Sequence, residues 1–156
     1  MYKIIEYNTV RDLEHSPSYY DIILFETDEC KRVVWIDGRS YFLSIPPMLF
    51  KIRASKVRQD VYLLGSAKSA FCVNNILYDV PFPNTYRDGF ICLGEERIVG
   101  VDKEELIERF LKYYWGSNFI EESGSSYNYR KYKLMGFSFE DWGFHSKYGG
   151  IFLIIC

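Results

Sequence analysis

The hydrophobic period of this chain changes near residue 100, and that change limits the folds open to it. Before it, apolar residues come in short runs rich in β-branched and aromatic side chains, separated by turn signals, the pattern of strands. After it, Leu106, Ile107, Phe110, Leu111 and Tyr114 fall on one stripe of a helix spanning Lys103–Trp115. Glu104, Glu105, Glu108, Arg109 and Lys112 take the other face. Asp102 is placed to cap the helix, with Glu105 three residues later in the capping-box position. Gly116 supplies the stop.

Taken in order, Tyr2–Tyr7 is a short alternating run and Asn8 to Ser18 is polar. Tyr19–Glu26 reads as a strand. Arg32–Ile36 and Ser40–Ile45 flank Asp37-Gly38 and are expected to pair antiparallel. Pro46-Pro47 ends that strand, and Met48–Ala54, Val61–Gly65, Phe71–Val73 and Ile76–Val80 continue a meander of short strands. Asn74-Asn75 marks a turn. Aromatic residues make up 19% of the chain, which favours pleated surfaces over helices. Trp35, Trp115 and Trp142 are expected in the core, since Trp is highly buried on average. Beyond a polar loop at Glu121–Ser126, the segments Lys131–Phe139, Trp142–His145 and Ile151–Cys156 read as further short strands. The expectation is a single α+β domain over 1–156: an antiparallel β-meander with one helix forms the core at about 19–119, and a β-rich C-terminal extension follows at about 127–156.

Charge and cysteine usage exclude several classes. A net charge of −2 gives no electrostatic case for nucleic acid, which calls for a basic face. No apolar run reaches the ~18–20 residues that span a bilayer, and the N-terminus lacks a signal-peptide pattern. A cytoplasmic protein, away from membranes, is expected. Cys30, Cys72, Cys92 and Cys156 form no Cys-x-x-Cys pair, and His15 and His145 stand in no ligand spacing with them, so no metal is expected. No glycine-rich phosphate loop is present, and no cofactor is expected.

The stretch from Pro81 to Gly94 carries the chemistry. Prolines at 81 and 83 and the Asp88-Gly89 turn make a stiff, ordered loop. The loop ends at Ile91-Cys92-Leu93. If Ile91 and Leu93 face inward on an extended segment, Cys92 faces out. Asn84 precedes this thiol by eight residues. A thiol nucleophile and an amide donor for a developing oxyanion are the minimum parts for acyl transfer. Asp88, Glu95 and Glu96 are near in sequence, but each reads equally as a solvated surface charge.

Phe82-Pro83-Asn84, followed by Asp88-Gly89-Phe90-Ile91-Cys92-Leu93, resembles the active-site signature of ubiquitin-conjugating enzymes: His-Pro-Asn, a turn with Gly, then Ile-Cys-Leu. The longer run Asn75–Asn84 with Gly89 and Cys92-Leu93-Gly94 is similar to a bacterial branch of that superfamily, prokaryotic family D, which takes in the protein B family of plasmid-associated PRTRC systems. The resemblance covers roughly Leu43 to Phe119. It implies a helix crossing the sheet, Cys92 as thioester-forming nucleophile and Asn84 as an amide that either donates to the oxyanion or ties the loop to its neighbour. The implied activity is acceptance of a ubiquitin-like protein from an adenylating activating enzyme and its transfer to an amine. The implied partners extend to a metalloprotease that removes the modifier. Two departures stand out. Phe82 replaces the eukaryotic His, which the bacterial branch also lacks, so the loop must be held by packing. Gly94 replaces the usual Asp. These departures keep open a catalytically silent module that binds a ubiquitin-like protein. A different alternative is an unrelated structural or interaction protein of a phage or plasmid.

Overall fold

A computed structural model of the protein describes residues 1–119 except 13–17, 37, 66, 75, 79, 81, 83–84, 86–88, 94–96 and 117. The C-terminal extension and Trp142 lie outside the described residues. The chain opens with an antiparallel pair, β1 (Tyr2–Asp12) and β2 (Ser18–Thr27), with a register shift between Ile4 and Glu6. Strand β1 runs further into the polar segment than its residue types suggest. The reason is cross-strand pairing: Tyr7 and Thr9 both donate to the Asp21 carboxylate, at 2.6 and 2.7 Å.

Strands β3 (Cys30–Ile36) and β4 (Arg39–Ile45) form the expected hairpin, with Gly38 at φ +75° in its turn. The next strand, β5 (Met48–Val57), does not extend this hairpin into a simple meander. It pairs with β2 instead, Thr27 opposite Met48 and Asp21 opposite Ala54. The hairpin is therefore pinched out of the main sheet, and Pro46-Pro47 brings the chain back without offering backbone donors to extend the ladder.

Two strands share the far side of β5. Strand β6 (Asp60–Leu63) lies against Ala54–Val57, and β7 (Ala67–Val73) lies against Met48–Lys51. Three short strands then line the outer edge: β8 (Ile76–Tyr78) and β9 (Phe90–Ile91) on β7, and β10 (Val99–Gly100) on β6. The helix α1 (Lys103–Gly116) follows, and β11 (Asn118–Phe119) runs parallel to β3 to complete a three-stranded second sheet. The fold is α+β and mainly antiparallel. Among the described residues no helix is long and apolar enough to cross a membrane.

Alternation along β5 divides its side chains between two faces. Met48, Phe50, Ile52 and Ala54 join Ile23, Phe25 and the α1 residues Leu106, Ile107, Phe110 and Tyr114 in one buried core. Leu49 points the other way and packs in a smaller cluster with Leu24, Ala70 and Leu77. The α1 stripe is as its spacing predicts, and the Glu105 amide donates to Asp102 Oδ1 at 2.8 Å, the expected cap. One core assignment is corrected. Trp35 is 47% exposed because its neighbour Val34, fully buried, takes the inward position on β3. Trp115 is half-buried and packs against the core.

The corner between β10 and α1 is close. A methyl group on Gly100 would lie 2.6 Å from the Leu106 amide nitrogen and 3.0 Å from the Glu105 carbonyl carbon. Both are backbone atoms of the helix's first turn, so neither can swing aside. Gly100→Ala should destabilise the protein by about 1–3 kcal/mol, the usual cost of forcing extra volume into a packed site. The expected result in urea is a lower midpoint with an unchanged slope. An unchanged midpoint would mean that the corner opens freely.

Candidate active site around Cys92

The loop before Cys92 leaves and re-enters the sheet at almost one point. Tyr78 pairs with Phe71 at the end of β8, and Phe90 pairs with Lys68 at the start of β9. Only Ser69 and Ala70 separate these two paired positions on β7. Gly89, at φ +91°, makes the return, and its carbonyl accepts from the Ser69 amide at 2.9 Å. That positive φ is the backbone state for which an Asp-Gly turn selects.

Within the loop, the Thr85 amide donates to the Phe82 carbonyl at 3.0 Å, and Thr85 forms an antiparallel bridge with Ile91. Phe82 is completely buried, its ring edge-on to Trp115 with centroids 6.2 Å apart. The loop is thus held by packing at the position where a histidine would hydrogen-bond. Thr85 is also buried. Its hydroxyl and that of Ser69 face the phenol of Tyr114, whose pKa burial pushes well above the ordinary tyrosine range. Both hydroxyls favour the phenolate, but burial outweighs them, so Tyr114 stays neutral at ordinary pH and is neither an acid nor a base there.

Cys92 follows directly. Ile91 is buried in the core and Leu93 packs against it, while Cys92 between them is a half-buried free thiol. The Leu93 carbonyl accepts a hydrogen bond from the Tyr113 hydroxyl. The backbone on both sides of the thiol is therefore anchored: Ile91 by Ala67 and Thr85, Leu93 by Tyr113. Asn84 lies outside the described residues, as do Asp88, Gly94, Glu95 and Glu96. The bridged residue Thr85 immediately follows Asn84 in the chain, as Cys92 follows Ile91.

Sequence reasoning missed three supports of this site. Thr85 carries no signal beyond its place in the loop. Tyr114 belongs to the helical stripe, but nothing in the spacing shows that its hydroxyl reaches the loop. Tyr113 stands outside the stripe, and that was a usable sign: an aromatic beside a complete apolar face must pack against something else. Phe82→Ala should cost about 3–5 kcal/mol. It should also release hydrogen-exchange protection at the Thr85 and Ser69 amides before global unfolding. If those amides stay protected at the parent level, the loop is not hung on Phe82.

Comparison with known proteins bears on the family. No curated protein and no solved structure matches the chain. The sequence does match prokaryotic E2 family D over residues 4–136. That match extends beyond the Leu43–Phe119 stretch in which the resemblance is legible by motif, and it takes in β1 and β2 as well as the Cys92 segment. On that match, this protein belongs to prokaryotic E2 family D.

Proposed function

We propose that the protein carries a ubiquitin-like modifier as a thioester on Cys92 and passes it to an amine. The E2-like family implies ubiquitin-like conjugation in general. The observation that carries the finer reading is the half-buried free thiol of Cys92, fixed between two anchored core residues. A nucleophile held this way attacks with little orientational freedom left to lose.

In the first step the Cys92 thiolate attacks the thioester carbonyl of a charged activating enzyme. A new carbon–sulfur bond forms, the tetrahedral intermediate collapses, and the activating enzyme's thiolate leaves. In the second step a neutral amine attacks the Cys92 thioester, loses its proton to solvent or a local base, and the Cys92 thiolate departs as the amide forms. Asn84 is the residue that would donate to the oxyanion of both intermediates. A modifier, an adenylating activating enzyme and a deconjugating metalloprotease are the partners this reading requires. Among the described residues, Cys30, Cys72 and Cys92 stand outside disulfides, which suits a cytoplasmic setting.

A second reading, a silent module that binds a ubiquitin-like protein without forming a thioester, is favoured by Phe82. Its burial replaces the hydrogen-bonding group of the eukaryotic signature with packing alone. Incubation with the cognate activating enzyme, modifier and ATP, followed by a non-reducing gel, separates the two. The carrier reading predicts an adduct cleaved by thiol and absent from Cys92→Ala. Cys92→Ser should give an adduct that thiol does not cleave, and Asn84→Ala should slow transfer by about 10²-fold or more. A charged activating enzyme with no adduct on this protein would leave the silent module.

A further inference from the structure

A cleft of about 610 Å³ opens beside the Cys92 segment, lined by Arg97 on the approach to β10, by Val99 of β10 and by Arg109, Lys112 and Tyr113 on α1. Tyr113 joins it to the site already described, because its hydroxyl is bonded to the Leu93 carbonyl next to Cys92. Among the described lining residues, three are cations and none is acidic. Arg109 Nη2 is bonded to Glu105 Oε1 at 2.7 Å, and Arg97 lies over the Tyr62 ring at 5.8 Å. Both contacts hold a guanidinium in place while leaving donors on its other edge. Lys112 is exposed. In a chain of net charge −2, this concentration of positive charge comes from the fold, which brings the β10 approach against the outer face of α1.

The position of the cleft selects its ligand. On the thioester reading, an acceptor polypeptide brings a lysine to Cys92, and Tyr113, bonded to the carbonyl next to Cys92, also lines this cleft. Nearby positive charge disfavours the ammonium form of an incoming lysine. It therefore promotes the neutral nucleophile, but it also repels an acceptor that brings no compensating charge. Carboxylates flanking the lysine would remove that repulsion and pair with Arg97, Arg109 and Lys112. A nucleic acid calls for an extended basic track, which three cations around one cleft do not provide.

We propose that this cleft recognises an acidic peptide segment flanking the acceptor lysine. The biological setting rests on the thioester reading, but binding itself needs no thioester and is measured without activating enzyme or modifier. The experiment is fluorescence anisotropy on the full chain with a labelled peptide of one lysine flanked by glutamates, against the same peptide with glutamines. The glutamate peptide should bind at least about tenfold more tightly and weaken as salt rises. Arg97→Ala with Lys112→Ala should abolish most of that preference. Arg97→Glu with Lys112→Glu should reverse it toward a peptide with lysines in the flanking positions, which a merely misfolded variant would not do. Equal binding of the two peptides, or a preference untouched by the substitutions, overturns the inference. So does displacement of the peptide by inorganic phosphate or single-stranded DNA at equal concentration of negative charge. If the preference and its reversal are found while no thioester forms on Cys92, the acidic cleft stands and only the carrier reading falls.

Discussion

The contact between the apolar stripe of α1 and the aromatic face of the main sheet holds the rest of the structure in place. Phe50 is its centre: its ring stacks on Phe25 at 5.3 Å and meets Phe110 and Tyr114 edge-on at 5.6 and 5.3 Å. Each such side chain contributes roughly 1.5–3 kcal/mol by burial, and each edge-on pair roughly 0.5–1.5 kcal/mol more. The exposed Arg109–Glu105 pair on the same helix is worth only roughly 0.3–0.5 kcal/mol. Aromatic packing, not surface pairing, decides where the helix lies.

Once the helix is set, it contacts the Cys92 segment and the strand and loop beside it with three consecutive residues. Tyr113 bonds to the Leu93 carbonyl, Tyr114 faces the hydroxyls of Thr85 and Ser69, and Trp115 packs on Phe82. Successive helical residues point about 100° apart, so these side chains reach the loop at different places and restrain it in more than one direction. Trp115 is itself covered by Arg32 of the pinched-out hairpin, whose guanidinium carbon lies 4.4 Å from the ring centroid. The hairpin leaves the main sheet and returns through Val34 and Trp115 to the structure that carries the thiol.

Local features of this arrangement were legible from the residues. The helix span, the Asp102 cap, the Gly38 turn and the left-handed Gly89 each depend on a few adjacent residues, and short-range chemistry reports them faithfully. Alternation at Ile91-Cys92-Leu93 pointed to a thiol between two inward neighbours, and the burial of Ile91 with the packing of Leu93 has that form. Long-range pairing was not legible. Nothing in β2 states that it pairs with β5 across an intervening hairpin, nor in β6 and β7 that both flank β5. Trp35 shows the same limit, because which of two adjacent apolar residues faces inward depends on what lies opposite the strand.

By itself, then, the sequence determined the element types, the turns and the spacing of Asn84, Gly89 and Cys92, because each follows from backbone preference and periodicity over a few residues. The family was legible in that spacing too. Only the tertiary structure decided that Phe82 would be fully buried against Trp115 and that Thr85 would bridge to Ile91. It alone brought Arg97 and Lys112 to one cleft. These residues are distant in the chain, and they meet because burying the aromatic face of the sheet leaves α1 one place to lie.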